Sequence, residues 1–71
     1  MSEKQYFYTV NLFKAEEIED DIKIFSHDYP NKDVAVKVIR ILESGLTDKE
    51  NYFVELLEYT EEDTVNFLYR S

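Results

Sequence analysis

Seventy-one residues with no cysteine, sixteen acids and eight bases make a short acidic chain of net charge -8. That length fits one domain over residues 1–71, and the missing thiols exclude disulfide staples and thiolate zinc sites. The charge disfavours phosphate backbones and anionic lipid surfaces, so direct nucleic-acid binding and membrane association are not expected.

With 44% hydrophobic residues and eleven aromatics, the chain has the material for a core. A domain of this size buries only about 60% of its unfolded surface, so self-association is one route to further burial. A compact fold would have a radius of gyration of roughly 11 Å. Residues 1–5 carry no basic-then-apolar signal region and no apolar run approaches a membrane span, so a soluble cytoplasmic protein is expected. Lys, Asn, Ile, Phe, Tyr and Met, with AT-rich codons, number 27, against six for Gly, Ala, Arg and Pro. This bias points to an AT-rich source such as a low-GC bacterium or its phage.

Gln5 to Phe13 alternates as a strand, with Tyr6, Tyr8, Val10 and Leu12 on one face and Phe7, Thr9, Asn11 and Phe13 on the other. Lys14 to Asp21 interrupts it as a loop or single helical turn. Ile22 to Ser26 reads as a second, shorter strand. His27-Asp28-Tyr29-Pro30 reads as a turn, because Pro30 fixes its own φ and keeps Tyr29 out of helical space.

Asp33, Lys37, Arg40 and Ser44 then form a polar stripe at helical spacing. The apolar face is expected at Val34, Val38, Ile41 and Leu42, widened by Ala35 and Ile39. Asn31 suits the N-cap and Gly45 the C′ position. Asn51 to Thr60 and Thr64 to Arg70 read as two further strands, the second with Val65, Phe67 and Tyr69 on one face. The rival is a second short helix over about 47–58, opened by a Thr47-Asp48-Lys49-Glu50 capping box, replacing the third strand. The strand reading is preferred for its aromatic content. The predicted fold is therefore α+β, a ββαββ domain with a four-stranded antiparallel sheet and one helix packed on one face.

No catalytic, metal or cofactor motif accompanies these elements. His27-Asp28 is the sole imidazole–carboxylate pair, but neighbours on a strand point to opposite faces and no nucleophile stands near. The acidic runs lack EF-hand spacing and its glycine. The aromatics of the first strand resemble a base-stacking platform without the basic groove such platforms need.

The loudest signal is segregated acid. Glu16, Glu17, Glu19, Asp20 and Asp21 fill five of six positions, and Glu61, Glu62 and Asp63 form a second run. As hairpin connections the two runs are expected to lie at one end of the sheet and make a single acidic edge. These eight residues are the candidate partner-binding set. The primary functional expectation is a non-enzymatic interaction domain that binds a basic protein surface, for instance a regulator or inhibitor of a nucleic-acid enzyme. Duplex DNA carries about 17 charges over about 29 Å, so a net -8 is only half of what whole-molecule mimicry requires. The alternative is a structural homo-oligomer or accessory subunit. One helix covers one sheet face, yet the first strand is apolar on both, which leaves an aromatic face for a partner or a second copy.

Overall fold

The computed structural model describes residues 5–62 and 65–71. Alternating aromatic and β-branched side chains build four strands around one helix. In chain order these are β1 (Tyr6–Lys14), β2 (Ile22–Tyr29), α1 (Lys32–Gly45), β3 (Tyr52–Thr60) and β4 (Val65–Arg70). The strands form one antiparallel sheet in the order β2-β1-β3-β4. This is the ββαββ domain read from the sequence, with residues 52–60 extended and not helical.

Val10, Val54 and Leu56 point to one face of the two central strands and meet Ala35 and Ile39 of α1, and all five are buried. Tyr8, Leu12, Phe25, Tyr29, Val36, Val38, Leu42 and Leu46 pack around them. A core this small holds about a monolayer of side chains between helix and sheet. The molecule is accordingly a flat body of 47 × 25 × 15 Å with a radius of gyration of 13.4 Å, larger than the value expected for a compact chain.

Three features differ from the sequence reading. First, β2 does not stop at Ser26. His27, Asp28 and Tyr29 pair with Val10, Thr9 and Tyr8 of β1, and the turn is confined to Pro30 and Asn31. Tyr29 packs on the core and Asp28 accepts a 2.7 Å hydrogen bond from Thr9, so tertiary contacts override the local turn signal.

Second, the buried stripe of α1 is rotated. Val34 and Ile41 are exposed, while Ala35 and Ile39 sit at its centre. At 100° per residue the point opposite Asp33, Lys37, Arg40 and Ser44 falls on Ala35 and Leu42, so the polar stripe already contained this answer. The Asn31 cap forms as expected, its side chain accepting from the Asp33 N–H at 2.8 Å. Gly45 is instead the last helical residue, and the cap is Leu46 in an extended conformation, its N–H bonded to the Glu43 carbonyl.

Third, each outer strand carries a bulge. Leu12 pairs with Phe25 but Phe13 with Lys23, and Leu56 pairs with Tyr69 but Leu57 with Phe67. The extra residue in β4 turns Tyr69 to the helix side, where its hydroxyl donates to Glu43 at 2.8 Å. Val65 and Phe67 stay on the opposite face, so the single-faced trio Val65, Phe67 and Tyr69 does not exist.

Candidate interaction surface

The helix leaves the second sheet face uncovered. β1 contributes Phe7, Thr9, Asn11 and Phe13 to it, and β3 contributes Phe53, Glu55, Leu57 and Tyr59. Phe13 and Phe53 stack at 5.1 Å near one end, and Phe7 and Tyr59 meet at 5.8 Å near the other. On β4, Val65 and Phe67 add to this surface, Phe67 being 70% exposed.

The polar members of the face are turned to one another. Asp28 holds the Thr9 hydroxyl, and Glu55 accepts from the Asn11 amide at 3.0 Å. Lys23 lies 5.7 Å above the Phe13 ring, and the Arg70 guanidinium lies 4.5 Å above Phe53. Among the described residues two acids and two bases thus balance on this face, within a chain of net charge -8. Asn11 is buried, and its carbonyl oxygen meets no donor.

The acidic runs are arranged otherwise than expected. Lys14 pairs with Tyr52 at one end of the β1–β3 ladder, and Tyr6 pairs with Thr60 at the other. The loop holding Glu16, Glu17, Glu19, Asp20 and Asp21 follows Lys14, whereas Glu61 and Glu62 follow Thr60. Eight ladder steps, about 27 Å, separate the two ends. Among the described residues no single acidic edge forms, because β1 and β3 run antiparallel side by side and so turn at opposite ends. Asp63 lies outside the described residues.

The first loop is held by the Ala15 N–H on the Asn51 carbonyl, by an exposed Lys14–Glu16 ion pair at 3.7 Å, and by the Glu16 N–H on Asp21 at 3.4 Å. Its tip is Ile18, 96% exposed among the acids. That apolar tip is invisible to a reading that counts charges.

His27 and Asp28 part to opposite faces, the imidazole ring packing 4.7 Å from Tyr29 on the helix side. Among the described residues no cluster of three or more His, Asp or Glu is close enough to hold a metal ion, and no helix is long and apolar enough to cross a membrane. On the helix side, an open groove of about 460 Å³ runs between α1 and β4, over Val36, Ile39, Leu56 and Leu68.

Two tyrosines there titrate late. Burial pushes the Tyr8 phenol above 10, helped by a hydrogen bond to Glu58, and the hydrogen bond to Glu43 does the same for Tyr69. The hydrogen bond from Asn51 lowers the Asp48 carboxyl in the loop before β3.

The chain matches no protein-family model, no curated protein and no solved structure.

Proposed function

We propose that this protein is a non-enzymatic interaction domain whose contact surface is the uncovered sheet face. The observation that carries this reading is the uncovered aromatic surface built by Phe7, Phe13, Phe53, Leu57, Tyr59, Val65 and Phe67 on the side away from the helix. Isolated exposed apolar residues are ordinary, but two aromatic clusters on one open sheet face, with an internally bonded polar band between them, are what protein contacts are made of. The separation of His27 from Asp28 across the sheet supports the non-enzymatic part of the proposal. A cysteine-free chain fits a reducing compartment such as the cytoplasm.

A second reading keeps the acidic loop as the contact, docking on a basic protein surface such as that of a nucleic-acid enzyme. Ile18 favours it, since an exposed apolar tip inside an acidic collar has the form of an anchor with an electrostatic rim. Whole-molecule DNA mimicry loses ground, because the 47 Å long axis would span about 28 duplex charges against a net -8.

Affinity capture with two variants separates the readings. One carries Phe67→Glu, and the other has Glu16, Glu17, Glu19, Asp20 and Asp21 changed to Gln or Asn. A contact on the sheet face is lost with the first and kept with the second. The reverse pattern would reject the sheet face and establish the loop.

A further inference from the structure

We propose that the uncovered sheet face is closed by the same face of a second copy of this chain, giving a helix–sheet–sheet–helix dimer. This rests on the reading of that face as the contact surface and names its occupant.

Charge is the first argument. Two chains of net charge -8 repel across any acidic surface. The sheet face is where that repulsion is absent, because Lys23 and Arg70 balance Asp28 and Glu55. Those charges are also engaged at home: both bases lie over rings, and both acids accept hydrogen bonds from β1. A foreign basic partner would find few outward carboxylates here, whereas a second copy meets a neutral aromatic surface like its own.

Area is the second argument. The 32 strand residues, at about 3.3 Å rise and about 4.8 Å spacing, offer roughly 500 Å² per copy, so a pair buries about 1,000 Å². That reaches the roughly 1,000 Å² expected of a specific interface.

The layout selects the symmetry. A twofold axis along the strands would set β2 over β4 and bring Lys23 toward Arg70 of the second copy, like against like. An axis across the strands sets Phe13 and Phe53 on Phe7 and Tyr59 of the second copy. It also brings Lys23 toward Asp28 and lays Arg70 on Phe67. This isologous arrangement matches aromatic cluster to aromatic cluster and Lys23 to Asp28.

Sedimentation equilibrium of the purified chain tests it. The expected mass is twice 8.5 kDa at tens of micromolar. Raising salt from about 50 to about 300 mM should leave association unchanged or strengthen it, because screening removes the repulsion between the acidic bodies. Phe67→Glu should weaken association at least about tenfold, while Ile41→Glu, on the exposed side of α1, should leave it alone. Both positions are exposed, so an unchanged thermal melt checks that each monomer folds. A mass of 8.5 kDa up to about 1 mM, a dimer that survives Phe67→Glu, or one that salt dissolves would each overturn the proposal. If the chain is monomeric but Phe67→Glu still loses a captured partner, only the occupant is wrong. If it is monomeric and the partner is kept, the sheet-face reading falls as well.

Discussion

Asn11 of β1 donates its side-chain amide to Glu55 of β3 at 3.0 Å, in the middle of the uncovered face, while its own carbonyl oxygen goes unpaired. The bond fixes which way the amide points, because only the NH2 group can serve a carboxylate. The pair therefore anchors the polar band between the two aromatic clusters, and its chemistry is sensitive to one atom. Asn11→Asp would set a second carboxylate against Glu55. Losing this half-buried hydrogen bond to a charged group costs about 2 kcal/mol, a large part of the total stability of a domain this size. The carboxyl pair would titrate above the usual range, so the loss should be full at neutral pH and shrink as pH falls and the pair takes up a proton. Urea denaturation at pH 7 and pH 4 measures it, and an equal loss at both would reject the charge explanation.

The rotated helix stripe makes a second prediction. Ile39 is buried at its centre and Ile41 is 69% exposed, although the two residues are chemically identical. Ile39→Ala should destabilise by about 2–4 kcal/mol and Ile41→Ala by less than about 0.5. Equal effects would mean that α1 packs on another face.

The bond between Tyr69 and Glu43 ties the edge strand β4 to the helix and predicts an alkaline response. Tyr8 and Tyr69 both have pKa values raised above the unfolded value of 10. Their contribution to stability is therefore complete below pH 10 and is lost as pH rises through their folded-state values. Thermal melts between pH 9 and 12 should show this decline, and Tyr69→Phe should flatten it. A decline of the same slope in the variant would assign the effect elsewhere.

The acidic loop makes few bonds, so its removal should matter little to the fold. Changing Glu16, Glu17, Glu19, Asp20 and Asp21 to their amides leaves the Ala15–Asn51 backbone bond in place and relieves repulsion. Stability should change by less than about 1 kcal/mol and rise, if at all, at low salt. A loss of several kcal/mol would show the loop to be structural.

How far the sequence carried depended on whether the information was local. The alternation Tyr6-Phe7-Tyr8-Thr9-Val10-Asn11 specified both faces of β1, and Asn31 marked the start of α1, because each signal is read within one turn or one pleat. The end of β2 was not legible, since Tyr29 is held by β1 and by the helix and not by its neighbours. Neither were the bulges, which turned Tyr69 to the helix and Phe67 away. The acidic ends were misplaced for a related reason: the β1–β3 pairing, which sets the two turns about 27 Å apart, joins segments that are remote in sequence. The aromatic face was legible only in half. Phe7 and Phe13 were evident, but their partners Tyr59 and Phe53, and the bases above the rings, follow from register.

The most direct test of the sheet face as the contact surface is NMR relaxation by a soluble paramagnetic agent at concentrations where the protein is associated. Side-chain signals of Phe53, Leu57, Val65 and Phe67 should be shielded, with Ile18 and Ile41 relaxing strongly as open references. If Val65 and Phe67 relax as strongly as Ile18, the face is open to water and is not where this protein is held.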